Sequence, residues 1–205
     1  MRNAYALLGV AFIIVFGGAF VILNTAQAPT NKTEEVPTNL IKKINTTMKL
    51  SSEAFQEGSL IPAKYTCSGE NINPPLSFGG LPENTKSLVL VVDDSDIPQE
   101  IKEKMGIDKF DHWTVYNIPA NTVLIEAGTL AGTTGLNTRG EAQYTGPCPP
   151  SEYEPTTHRY SFRLYALPEL LMFEGTPTLD VVEAAAQEIM IEKAELVGLY
   201  SKVSG

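Results

Sequence analysis

Two histidines, a close trio of aspartates and a tyrosine carry the chemistry available to this sequence. The chain has 205 residues and only two histidines. His112 opens the run HWTVYNIP (112–119) beside the only tryptophan, and His158 opens HRYSFRLYAL (158–167). Asp93, Asp94 and Asp96 sit in DDSDIP (93–98), directly after the apolar run KSLVLVV (86–92). Carboxylates this close repel one another, so the cluster is costly unless donors or a cation surround it. Taken singly, each feature also has a plainer reading. Aspartate is a common turn residue, a histidine at a strand start can be satisfied by a backbone carbonyl, and GPCPP (146–150) can be a well-packed corner. In that corner Gly146 permits backbone geometry that other residues resist, while Pro147, Pro149 and Pro150 fix φ. Taken together, the two histidines, two or three of the aspartates and Tyr160 are expected to line one polar pocket. Imidazolium and phenol would donate to an anion, and the carboxylates would orient the imidazoles and raise their pKa.

Strands must position these groups. The β-branched run 86–92 and the alternating runs 112–118, 159–167 and 193–203 read as strands. One stretch, LDVVEAAAQEIMI (179–191), reads as a helix that Thr178 or Asp180 can cap. Short strands, Gly- and Pro-rich loops and one late helix predict a mainly β protein. The expected fold is a β-sandwich or Greek-key body with a few peripheral helices.

The chain divides into three parts. Residues 4–23, AYALLGVAFIIVFGGAFVIL, form an uncharged run of 20 residues, long enough to cross a bilayer as one helix. We read residues 1–23 as a single-pass membrane anchor rather than a signal peptide, whose apolar region usually spans about 7–15 residues. The A-x-A pattern Ala26-Gln27-Ala28 keeps the alternative of cleavage and secretion. Either way the body is expected outside the cytoplasm. Residues 24–45 form a polar, proline-containing linker with glycosylation acceptor patterns at Asn31 and Asn45. Residues 46–205 form the folded domain. The whole chain carries a net charge of −9. Almost all of its acidic groups lie in that domain, which argues against nucleic-acid binding through phosphate neutralisation.

At this point the motifs resemble the phosphatidylethanolamine-binding protein family, and within it the bacterial and archaeal Raf kinase inhibitor-like branch. The resemblance covers about residues 48–203. It rests on YTCSGENINPPLSF (65–78), DDSDIP (93–98), HWTVYNIP (112–119) and GPCPP followed by HRYSFRLYAL (146–167). It implies an antiparallel β-sandwich with a small pocket for phosphate-like anions or phosphorylated head groups. Carried over by motif, the ligand-binding residues are Asp94, Asp96, His112, Gly146, Pro147, His158 and Tyr160. Three departures stand out. Ser95 replaces the usual proline between the two aspartates, residues 97–111 form a longer insertion, and the loop 151–157 is longer than the common form. Both longer segments are expected to reshape the pocket rim.

The two cysteines, Cys67 and Cys148, each lie in a motif bordering that pocket. An even pair outside the cytoplasm reads first as one disulfide, worth roughly 4 kcal/mol for a loop of about 80 residues in the chain-entropy model. Free buried thiols, or a Cys148 nucleophile with His158 as its base, remain open alternatives. The expected function is a membrane-tethered, non-catalytic binding protein for a small anionic or phosphorylated ligand, with no cofactor and no metal. The alternatives are an inhibitor of a protein target such as a peptidase or kinase, and a metal-dependent hydrolase on His112, His158 and the aspartates.

Overall fold

The computed structural model describes residues 47–202. The apolar run 4–23, the linker 24–45 and the acceptor sites Asn31 and Asn45 lie outside the described residues. Among the described residues no helix is long and apolar enough to cross a membrane.

Among the described residues, nine strands and two α-helices follow in the order β1 (Lys49–Ser51), β2 (Ser59–Leu60), β3 (Leu76–Gly79), β4 (Ser87–Asp94), α1 (Gln99–Met105), β5 (Phe110–Pro119), β6 (Leu124–Ile125), β7 (Thr133–Thr134), β8 (Thr157–Leu167), α2 (Leu179–Ile189) and β9 (Glu192–Ser201). They form a three-stranded sheet, β1-β3-β6, and a six-stranded sheet, β2-β9-β8-β4-β5-β7. The pairings are antiparallel except one: β2 runs parallel to β9. The rest of the domain separates these two strands, so no hairpin sets their direction. The four long strands and α2 fall where the periodicity places them. Helix α1 was not anticipated and occupies the 97–111 insertion.

Strand β4 is buried along its whole length, and the reason is visible in its alternation. Successive side chains point to opposite faces of a sheet. Leu88, Leu90 and Val92 face the small sheet, in a core shared with Leu50, Leu76 and Phe78. Val89 and Val91 face the other way, against Leu179, Val182 and Ala186 of α2. Those helical residues recur at the spacing of one apolar stripe. Thr178 occupies the N-cap position of α2 but makes no side-chain cap bond. Asp180 pairs instead with Lys109, Nζ to Oδ1 3.1 Å. Burying one such aliphatic side chain contributes about 1.5–3 kcal/mol. Held on both faces, β4 is a fixed rod, and Asp93 and Asp94 stand at its end.

Candidate functional site

The site is built where three neighbouring strands end. Asp94, the last residue of β4, lies opposite Phe110 of β5 and Tyr160 of β8. Residues directly opposite in an antiparallel pair share a face, and alternation adds His158, two residues before Tyr160. His112 arrives by a different route. The β4–β5 register passes from Val92↔Trp113 to Asp93↔Asp111, leaving His112 as an extra residue. A bulge of this kind re-aims a side chain, and it places His112 on the same side as Trp113. Asp94, His112, His158 and Tyr160 thereby line one cavity of about 160 Å³, with Thr145, Gly146, Cys148, Pro149 and Pro150 on its wall.

The hydrogen bonds assign the ring tautomers. His158 Nδ1–H donates to Asp94 Oδ2 at 2.6 Å, and His112 Nδ1–H donates to the Thr145 carbonyl at 2.6 Å. Both acceptors are donor-free, so each ring keeps its Nε2 for other partners. His158 Nε2 and Tyr160 Oη are buried and have no hydrogen-bond partner. Burial pushes the His112 pKa below its ordinary value, which keeps that ring neutral with an accepting Nε2. Only His158 is held by a carboxylate. The expectation that carboxylates orient both rings and raise their pKa is therefore corrected for His112, which a backbone carbonyl orients and burial discharges. Burial, with Asp94 nearby, pushes the Tyr160 hydroxyl far above its ordinary range, so it remains a donor. A donor at Tyr160, an acceptor at His112 and a carboxylate-backed imidazole at His158 together suit an oxyanion that carries a proton.

The remaining carried-over residues sit as follows. Asp96 is not in the cavity lining. It directs both oxygens to Arg159, at 2.8 Å to Nε and 2.6 Å to a terminal nitrogen, and Arg159 holds its carboxyl below the ordinary range. Its backbone N–H donates to Asp94 Oδ1 at 2.8 Å. That Asx-type bond shapes the turn in which Ser95 replaces proline. Pro147 also lies outside the lining, and its carbonyl accepts from the Cys67 N–H at 3.1 Å. Gly146 lines the cavity, but for a reason other than unusual φ. A Cβ there would lie 2.6 Å from the Tyr65 carbonyl oxygen and 2.7 Å from Asn71 Oδ1. The third aspartate, Asp93, faces the opposite side of the sheet and binds Arg163 and Lys109.

Cys67 and Cys148 form a disulfide with Cα atoms 5.4 Å apart, and no cysteine is free. This removes the Cys148 nucleophile. The bond joins the cavity wall to the 65–71 segment. Gly146 N–H donating to Asn71 Oδ1 at 2.8 Å and Tyr144 Oη donating to the Tyr65 carbonyl at 2.9 Å join the same two segments. Among the described residues, no group of three or more His, Cys, Asp or Glu side chains is placed to hold a metal ion.

Two parts of the lining escaped the sequence reading. Arg139, in an exposed turn, brings a guanidinium to the rim, and its ordinary turn sequence carries no signal for it. The other part is apolar: Ile97, Ile101, Met105 and Phe110. The four-residue spacing of Ile101 and Met105 is a helix signal that was available in the insertion.

The comparisons agree with this architecture. The sequence profile of the family described as phosphatidylethanolamine-binding protein matches residues 51–201. A UPF0098 protein of Chlamydia pneumoniae is 44% identical over 156 residues, covering 76% of this chain and 99% of its own. A UPF0098 protein of Methanothermobacter thermautotrophicus is 42% identical over 163 residues, with the same coverage. Among solved structures, one from Chlamydia trachomatis, described as a homologue of phosphatidylethanolamine-binding protein, superposes with a TM-score of 0.70. It is 40% identical and covers 77% of this chain and 99% of its own. Escherichia coli YbcL, described as a new member of the mammalian family, gives 0.67 at 25% identity, covering 76% and 99%. The chain belongs to the phosphatidylethanolamine-binding protein family, and its described residues carry that family's mainly β fold.

Proposed function

We propose that this protein binds a small phosphate-type anion in the cavity at the ends of β4, β5 and β8, as a binding protein without catalytic turnover. The observation that carries this reading is the pair of buried, unpartnered polar atoms, His158 Nε2 and Tyr160 Oη. A buried polar group left without a partner costs about 1–3 kcal/mol, and a bound oxyanion would remove that cost at both atoms. Arg139 at the rim adds a positive charge within an acidic domain. The apolar run 4–23 would tether the body to the membrane on its outer side, where externally added protease would reach it in intact cells.

The test is thermal unfolding of the full chain with inorganic phosphate, with phosphoethanolamine and with divalent metals. A ligand that binds only the folded state raises the midpoint as its concentration rises. We expect both phosphates to do so in the wild type and neither to do so in His158→Ala or Tyr160→Phe. The second variant keeps the volume of the side chain and guards against simple misfolding of the first. No shift with any anion would overturn the reading and favour inhibition of a protein target such as a peptidase. A shift with metal alone would return the hydrolase.

A further inference from the structure

One side of the cavity has no role in holding a phosphate. Helix α1 reads QEIKEKM, with Ile101 and Met105 four residues apart on one face. Both line the cavity, while Glu103 and Lys104 are exposed to solvent. An amphipathic helix normally lays its apolar stripe on a core. This helix buries none of its residues, and Met105 is 48% exposed. The stripe therefore lies against the cavity. Ile97 and the Phe110 ring extend the same wall towards the site, and that ring sits 4.8 Å from the His112 ring. The wall is also pinned. Lys102 Nζ donates to the Ser95 carbonyl at 2.9 Å, and Gly106, at φ 67°, closes the helix by donating its N–H to the Lys102 carbonyl.

The cavity is thus two-sided, with hydrogen-bonding groups at the strand ends and apolar surface along α1. A bare phosphate would satisfy the first side and leave its own hydration facing the second. We infer that the site selects a phosphate monoester whose esterifying group is apolar, alkyl or aryl, with the phosphate at His112, His158 and Tyr160 and the organic group along Ile101 and Met105. This rests on the anion reading above and specifies the ligand class of that same site.

The test is isothermal titration of the full chain with inorganic phosphate, phenyl phosphate, n-hexyl phosphate and phenol. The variant is Ile101→Ser/Met105→Ser, two side chains that are not buried, and Lys104→Ser on the solvent side of α1 serves as control. Burial of the organic group is expected to tighten binding of the esters about tenfold or more over inorganic phosphate. The double variant is expected to erase that gain while leaving inorganic phosphate unchanged, and Lys104→Ser is expected to keep it. If phosphate binds but the esters gain nothing, or if the gain survives the double variant, the apolar subsite is wrong and the anion site stands. Binding of phenol as tight as that of phenyl phosphate would overturn the inference as stated. If no phosphate compound binds, both readings fail. Dihexanoyl phosphatidic acid distinguishes the source: tighter binding than hexyl phosphate assigns the subsite to a phospholipid, and weaker binding to a compact soluble ester.

Discussion

Asp93 and Asp94 are neighbours in the chain, both almost fully buried, and they meet opposite environments. Asp93 faces α2 and joins a closed network. Arg163 donates to both its oxygens and, through Nε, to Glu183 at 2.7 Å. Lys109 Nζ donates to Asp93 at 2.9 Å and to Glu183 at 3.3 Å, and the Tyr165 hydroxyl donates to Glu183 at 2.6 Å. Burial alone would raise the Asp93 carboxyl, but Arg163 and Lys109 outweigh it and hold it below its ordinary range. Asp94 faces the cavity and is partnered too, yet the groups around it are not. His158 Nε2 and Tyr160 Oη stay unsatisfied. One face of the sheet end is partnered within the chain at Asp93, Arg163 and Glu183 and serves stability, with Asp111 Oδ1 left unpaired at its margin. The other leaves two buried polar atoms without partners, and these are the atoms that the proposed ligand would meet.

The comparison breaks most readily at Arg163. Replacing it by methionine leaves Asp93 and Glu183 short of their main cation in a buried setting. Stranding a buried charge of this kind costs roughly 3–5 kcal/mol. Urea unfolding of Arg163→Met should register that loss. A loss below about 1 kcal/mol would mean that Lys109 alone suffices and the network is not closed in the sense described.

The cavity face should respond in the opposite manner. Tyr160→Phe removes a buried hydroxyl that has no partner in the ligand-free protein, so stability should hold or rise, by up to about 1–3 kcal/mol. Phosphate affinity should nevertheless fall about tenfold or more, since hydrogen bonds to charged groups are worth about 1.5–3 kcal/mol. A large stability loss in that variant would show that the hydroxyl is structurally engaged and would erase the contrast with Asp93.

The smallest expected effect lies at the margin of the network. Burial pushes the Asp111 carboxyl up to about 6 against the pull of Lys109, and Asp180 and Asp93 push it the same way as burial. Its Oδ1 accepts no hydrogen bond, although Lys109 Nζ lies 3.4 Å away. A carboxyl raised in the folded state favours folding as it takes up its proton, so its penalty is felt above pH 6 and relieved as pH falls towards 4. His112, lowered by burial, acts oppositely, because unfolding lets it charge on acidification. The difference between Asp111→Asn and wild type isolates Asp111. The variant should be more stable at pH 7 by on the order of 1–2 kcal/mol, and that advantage should shrink as pH falls through 6. An advantage constant from pH 7 to 4 would rule out titration of Asp111 as its cause.

What the sequence determined by itself is what local periodicity encodes. The runs 86–92, 112–118 and 159–167 declared their strands, and the apolar stripe of 179–191 declared α2, because burial on one or two faces imposes those periods whatever the neighbours are. The motifs placed both histidines, Asp94, Tyr160 and the cysteine pair near one another, since family membership carries topology with it. Tertiary structure alone decided how those groups divide. Alternation says that Asp93 and Asp94 part company but not which of them meets the cavity, because that depends on which face α2 covers. The bulge that re-aims His112 arises between two strands and is not a property of either. Asp96 turns to Arg159, 63 residues away, Arg139 reaches the rim from an ordinary turn, and Gly146 is required by the carbonyl of Tyr65 rather than by its own φ. Each of these depends on a partner distant in the chain, and distance in the chain is what periodicity cannot read.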